Sequence, residues 1–273
     1  MTLRATRLPV SLDPLIAEAK QRVRRRWLIT ALIVALLVGG TAAALALRSS
    51  GPPGASPVTG PQAVLGSMVA AALGQHAVHW TEAGGEDMRG SFRLTSDVTA
   101  DSGVERLTIP QLGGKADIRL VNGVVYVKGN RMGLQYELVL PDAQAGRYAG
   151  RWISITTRDV YRDANLYTRT ADGLTLGSLV HDATSPDLGN NGLKTKVIRR
   201  KSHGTRVIVF QEGDLRAAGM TVSAHATGEG LPIAVSVGFG PGSWFGGRFS
   251  KWNEPLQVTA PKHAVPIATV YRS

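Results

Sequence analysis

The chain has 273 residues, is 43% hydrophobic and carries a formal net charge of +11, with no cysteine. The missing thiol excludes disulfides, thiolate catalysis, Cys-ligated zinc and a lipid-modified N-terminal Cys. The positive charge is scattered rather than gathered into a nucleic-acid-binding stripe, so anionic lipids or wall polymers are better partners than DNA or RNA.

Residues 1–26 form a basic tail, with seven Lys/Arg against Asp13 and Glu18. Leu12 to Arg26 reads as a short helix behind Ser11, a plausible N-cap, and its simplest role is to set topology. Trp27 to Leu47 then carries no charged side chain. At about 1.5 Å of rise per residue it is long enough to cross a bilayer as one helix, which needs roughly 20 residues. Arg24, Arg25 and Arg26 just before it predict a cytoplasmic N-terminus and an extracytoplasmic remainder in a single-pass membrane protein. The rival reading is an export signal. Ala44-Leu45-Ala46 fits a cleavage site, and Val23-Arg24-Arg25-Arg26-Trp27-Leu28 resembles a twin-arginine signal. The length of the apolar run favours an uncleaved anchor. Residues 48–61, rich in Pro, Gly and Ser, predict a linker to a domain spanning 62–273.

Within that domain, Gln62 to Gln75 predicts a helix, with Leu65, Met68, Val69, Ala72 and Leu73 at helical spacing and Gly74 at its end. Mostly strands follow: Ala77–Glu82, Ser91–Thr99, Val104–Ile109, a hairpin about Asn122-Gly123, Leu134–Leu140 and Arg151–Thr157. The Asn-Gly pair fixes a type I′ turn. That register puts Ile118, Leu120, Val125 and Val127 on one apolar face and sets Asp117 opposite Lys128 on the other. Short helices are expected within Asp159–Thr170 and around Leu174 to Val180. Further strands are Thr195–Lys201, Thr205–Gln211, Met220–Ala226, Pro232–Phe239, Arg248–Trp252 and Leu256–Thr259.

Chemistry-bearing patterns are sparse. His76 and His79 would point to opposite faces of a strand, and His181, His203, His225 and His263 are scattered, so no metal ligand set emerges. There is no G-x-S-x-G or S-x-x-K motif. Gly238 to Gly247 lacks phosphate-binding spacing and reads as a loop, and Glu86 and Asp87 sit in a Gly-rich turn without a shared cleft. The expectation is therefore a protein without catalysis, metal or cofactor. Trp80, Trp152, Trp244 and Trp252 fall in or beside strands, where some pack the core and others could line an apolar pocket.

Several stretches resemble the LolA-like superfamily of lipid and lipoprotein carriers, in its actinobacterial LppX/LprG-like branch. They are Ala70-Ala71-Ala72-Leu73 leading into Ala77-Val78-His79-Trp80, then Gly123 to Gly129, Gly150-Arg151-Trp152-Ile153, Leu231-Pro232, and Phe249 to Pro255 leading to Val258-Thr259-Ala260-Pro261. The likeness spans residues 62 to 262. It implies an α+β domain, a half-open antiparallel β-barrel with short helices over its concave face, that holds acyl chains without catalysis. One departure is plain: those lipoproteins carry a lipidated Cys where this chain has an apolar anchor. Leu65, Met68, Val69, Leu120, Val125, Val127 and Trp152 are the expected lining of the pocket. The alternative is an envelope sensor or scaffold that binds a protein partner.

Overall fold

The computed structural model describes residues 60–85, 91–161, 164–184, 194–202, 205–215, 218–226, 230–238 and 243–272. Pro57–Ser273 is a compact unit separate from Met1–Ser56. The predicted tail, membrane helix and most of the linker lie outside the described residues, as do Glu86, Asp87, His203 and residues 239–242. No helix among the described residues is long and apolar enough to cross a membrane.

Twelve strands form one open, curved sheet. In chain order the strands are β1 (Ala77–Gly85), β2 (Phe92–Thr99), β3 (Gly103–Ile109), β4 (Gly114–Val121), β5 (Val124–Gly129), β6 (Ile153–Ile155), a separate small hairpin of β7 (Val160–Tyr161) and β8 (Ala164–Asn165), β9 (Thr195–Ser202), β10 (Thr205–Asp214), β11 (Ala218–His225), β12 (Pro232–Gly238), β13 (Trp244–Ser250) and β14 (Val265–Pro266). The order across the sheet is β14-β6-β5-β4-β3-β2-β1-β13-β12-β11-β10-β9. Every contact is antiparallel except β14 on β6, which is parallel. The helices are α1 (Pro61–Leu73), α2 (Arg131–Leu138), α3 (Asp142–Tyr148), α4 (Leu166–Ala171), α5 (Leu176–Thr184) and α6 (Ile267–Arg272).

Register explains why the sheet has two unlike faces. The hairpin pairs Val121 with Val124, Leu120 with Val125 and Ile118 with Val127, as the turn chemistry predicted. Asn122 and Gly123 both adopt positive φ, 51° and 72°, which a type I′ turn requires. Following partners strand by strand, Trp80 faces Ser96, Ser96 faces Glu105, and Glu105 faces Ile118. In the other direction Trp80 faces Phe249, Gly247 faces Val235, Val235 faces Val222, and Val222 faces Phe210. Residues paired across strands point the same way. One inner face therefore gathers the apolar residues from β6 to β10, with Ser96 and Glu105 set among them near its middle. On the outer face the corresponding residues are polar, among them His79, Asp97, Arg106, Asp117, Arg119, Tyr126 and Lys128.

The helices cover the inner face in two groups. Met68 and Ala72 of α1 and Leu176, Leu179, Val180 and Ala183 of α5 pack on Val78, Trp80, Val98, Phe210, Met220, Val222, Ala224, Val235, Val237 and Phe249. Leu134 and Leu138 of α2, Ala145 and Tyr148 of α3, Leu166 of α4 and Ile267 and Val270 of α6 pack on Ile118, Leu120, Val125, Val127, Ile153 and Ile155. Thr175 caps α5, accepting from the Ser178 N–H at 3.2 Å, the short-range pattern of an N-cap.

Three expectations are corrected. Leu134–Leu140 is not a strand but α2 and the turn after it. Asn130 caps that helix, its Oδ1 accepting from Gly133 N at 2.9 Å and Lys115 N at 3.0 Å. Leu134 and Leu138 lie one helical turn apart and are fully buried, and Val139 ends the helix with φ 52°. The alternation of Leu134, Tyr136 and Leu138 imitated a strand. The short helix expected within Asp159–Thr170 is α4, which follows the β7–β8 hairpin. Leu256–Thr259 is unpaired extended chain, held by Arg119 donating to the Thr259 carbonyl at 3.1 Å. Residues 251–264 thus run as a strap over the outer face, where no strand edge is free to pair. Finally, Gly246 and Gly247 belong to β13 rather than to a loop. The Trp80 indole lies flat across Gly247, where an added Cβ would overlap ring carbon Cζ2. Helices α3 and α6 and strand β14 were not foreseen.

Two glycine substitutions should therefore move stability in opposite directions. Gly247→Ala forces Trp80 out of its rotamer and should cost about 1–3 kcal/mol, read as a lower urea midpoint at unchanged slope. Gly66→Ala in α1, where nothing lies within 4 Å of the new Cβ, should raise stability by roughly 0.5–1 kcal/mol.

Candidate functional site

The inner face is the surface on which the helices of the domain converge, and its two halves are filled to different degrees. In the half under α2, α4 and α6, Val125, Val127, Leu134, Leu138, Ile153, Ile155, Leu174 and Val270 are all 0% exposed. The partly exposed side chains at its margin are Tyr167, Ala171, Val265 and Tyr271. The Tyr271 hydroxyl donates to the Leu138 carbonyl at 3.2 Å. This half is a filled core.

The half under α1 and α5 differs. Around its buried residues lies a margin of aliphatic and aromatic side chains that are only half-buried: Val64, Leu65 and Val69 of α1, Leu94 of β2, Ile208 of β10, Phe245 of β13 and Trp252 of the strap. Apart from the Trp252 indole N–H these side chains have no polar atom, and most come from the helix and the sheet beneath it. An apolar wall left part-open between a helix and a sheet is the geometry of a site for an apolar ligand. Phe92 and Phe245 close around Gly84, where an added Cβ would sit 2.7 Å from the Phe92 ring and 2.9 Å from Phe245 Cβ.

A few polar groups are set into this face. The Trp80 indole N–H donates to Glu82 Oε2 at 3.0 Å, and Ser96 Oγ, 0% exposed, donates to Glu105 Oε2 at 3.2 Å. By register Glu82 and Glu105 share the inner face with Trp80. They lie between the two apolar halves and would meet the polar end of an amphiphile rather than its chain. Sequence reasoning missed both. Only once the β1–β2–β3 register is known does the spacing place them on the apolar side.

The seven expected lining residues do not form one pocket. Leu65, Met68 and Val69 belong to the half-open half, with Met68 itself 2% exposed. Leu120, Val125 and Val127 belong to the filled half, in a separate cluster. Trp152 is on the opposite side of the sheet. It precedes Ile153, which is fully buried on the inner face, so alternation turns its indole outward. There Arg119 lies over the ring at 4.8 Å from its centroid and Lys128 at 5.9 Å. Of the remaining tryptophans, Trp80 is in the inner face, Trp244 is 53% exposed, and Trp252 stacks on Phe249 at 5.5 Å between centroids.

The outer face offers a small cleft, about 50 Å³, under the strap, lined by residues that include His79, Asp97, Glu254 and Leu256. His79 Nδ1 lies 2.6 Å from Asp97 Oδ1, and Asn253 Oδ1 accepts from the His76 N–H at 2.7 Å. The first contact bridges β1 and β2; the second, with the Asn253 N–H donating to the Ala77 carbonyl at 2.9 Å, fastens the strap to the start of β1. Among the described residues no group of three or more His, Asp or Glu converges on a point.

No protein-family model matches the chain, and no curated protein matches it in sequence. Among solved structures the fold is similar to that of the Mycobacterium tuberculosis lipoprotein LppX, at 15% identity and TM-score 0.43, covering 72% of this chain and 99% of that one. It is similar to LprF from Mycobacterium bovis at 13% identity and TM-score 0.44, covering 76% and 99%. A LolA-superfamily protein from Nitrosomonas europaea aligns at 9% identity and TM-score 0.27, covering 72% and 94%. These are likenesses of fold, and the functional argument rests on the inner face itself.

The filled half should behave as core and the other should not. Val125→Ala, which empties space in a side chain with no exposure, should cost about 2 kcal/mol. Val69→Ala at the half-open margin should cost under about 1 kcal/mol on the same scale. Equilibrium denaturation of the two variants checks the contrast.

Proposed function

We propose that this protein binds acyl chains non-covalently on the half-open apolar face between α1 and the sheet, and does so tethered outside a membrane by the Trp27–Leu47 segment. The observation that carries the reading is the half-buried margin of Leu65, Val69, Leu94, Ile208 and Phe245, larger and more aliphatic than the Tyr167, Ala171, Val265 and Tyr271 of the neighbouring half. Burying acyl methylenes there contributes about 0.8 kcal/mol each in transfer free energy, so binding needs no charged contact with the chain. The Trp80–Glu82 and Ser96–Glu105 pairs would lie toward the headgroup side. The sequence resemblance to LolA-like carriers points the same way. On this reading the protein has no catalytic step. It takes up lipid or a lipoprotein's acyl chains from the bilayer to which it is anchored, with its basic tail in the cytoplasm.

The test is native mass spectrometry on the protein purified from a lipid-containing host, followed by titration of the delipidated protein with a fluorescent fatty acid. A co-purifying diacyl mass and saturable probe binding are expected. Leu65→Asp and Leu94→Asp should each weaken probe binding at least about tenfold while the fold is kept, since a carboxylate in the apolar wall opposes burial of the chain. A bare protein mass and no saturable binding would end the carrier reading and favour a scaffold that binds a protein partner.

A further inference from the structure

The outward side of α1 is unlike that of an ordinary surface helix. Residues 60–75 contain no charged side chain, whereas a helix at a water interface normally carries its charges on the outward stripe. Gly66, Ser67, Ala70 and Leu73 point out, and Leu73 is 50% exposed. Helix α1 packs beside β9, the terminal strand of the sheet. On the inner-face side that strand carries Arg199, opposite Ile208, and Lys201, opposite Arg206 of β10, all three cations exposed, while Arg200 between them pairs with Val207 and points to the outer face. No acidic residue occurs between 194 and 211. The acids of this strand pair, Glu212 and Asp214, sit at its far end, where Glu212 faces Thr195. Lysine on an edge strand commonly blocks edge-to-edge pairing. That role does not extend to Arg206, which lies on the second strand and not at the edge.

We infer that the uncharged outward side of α1 and the cationic end of β9–β10, formed by Arg199, Lys201 and Arg206, make a docking surface for an anionic lipid bilayer. An apolar helix side flanked by cations matches a bilayer interface in both respects. The helix side enters the headgroup boundary, and each cation near the anionic surface is attracted to it. The inference rests on the membrane anchoring proposed above. A linker of 13 residues (48–60) reaches at most about 45 Å when fully extended, so α1 stays within reach of the bilayer. Docking would lay the helix that walls the apolar face on the lipid, so a chain could pass from bilayer to protein without crossing open water.

The absence of cysteine makes the test clean. Full-length Ala70→Cys and, as a control, Gln111→Cys are labelled with an environment-sensitive fluorophore and reconstituted into vesicles. The vesicles are phosphatidylcholine alone or phosphatidylcholine with phosphatidylglycerol. Alkaline extraction separately reads anchoring. With phosphatidylglycerol the label at position 70 should shift to the blue and resist an aqueous quencher, and the label at 111 should not. High salt, or the triple change Arg199→Glu, Lys201→Glu and Arg206→Glu, should abolish the protection. The inference is overturned if position 70 is quenched like position 111 in every vesicle. It is equally overturned if protection is the same in both lipid mixtures and survives the charge reversal. If alkali strips the protein from the vesicles, the anchoring reading fails on its own account. The label still reports docking in that case, because salt-sensitive protection at position 70 does not require an inserted helix.

Discussion

The structure depends on one constraint: a single open sheet that carries its apolar residues on one face. Among the described residues no second large sheet covers that face and no closure hides it, since β14 and β9 remain at the two edges. Short helices must therefore bury it, and they pack on the same side. A strand face that gathers apolar residues from β6 to β10 is a large area for helices of 6 to 13 residues to cover. Where several helices converge, under α2, α3, α4 and α6, the face is filled to completion. Where α1 and α5 cover it, part of the apolar wall stays accessible. The proposed function follows from this difference in cover, not from any reactive group.

Details at the centre of the sheet show how the unequal cover is kept. Trp80 lies flat over Gly247 because that position has no Cβ, so the largest side chain of the inner face adds little height to the floor. The connection from α4 to α5 spans both halves, with Leu166 and Leu174 in the filled core and Leu176 to Ala183 in the other. Its close approach to the sheet needs Gly103, where a Cβ would overlap the Leu174 carbonyl oxygen. On the far side the strap of residues 251–264 crosses the polar face and delivers Val265 to the β6 edge, its N–H donating to the Trp152 carbonyl at 2.8 Å. A returning chain that arrives in that direction pairs parallel, which accounts for the one departure from an antiparallel sheet.

Much of this was legible in the sequence. The Asn122-Gly123 turn fixed a register, and through it the faces of Ile118, Leu120, Val125 and Val127. The first helix and most strands were also readable from their periods. The failures have physical causes. Leu134, Tyr136 and Leu138 satisfy a strand period and, with Leu134 and Leu138 four apart, a helix period too. Tertiary packing on β4 and the Asn130 cap decided between them. The functional site was legible only in part. Leu65 and Val69 could be placed on an apolar helix face, but which strands lie beneath that helix is a matter of topology, invisible in a local pattern. Joining them to Val125 assumed one pocket where the fold makes two halves. Trp152 was assigned inward although it alternates with Ile153, and parity alone turns it out. Glu82 and Glu105 could not be found without the long-range register.

The most direct measurement is photo-crosslinking of the full-length protein with a fatty acid bearing a diazirine on its chain, with the labelled peptides mapped by mass spectrometry. Labels confined to α1, β2, β10 and β13, around Leu65, Val69, Leu94, Ile208 and Phe245, are the predicted result. Labels on β4 to β6 around Val125 and Ile153 would contradict the account, because they would place the chain in the half that the protein fills with its own side chains. Labelling that excess unlabelled fatty acid does not suppress would contradict it as well.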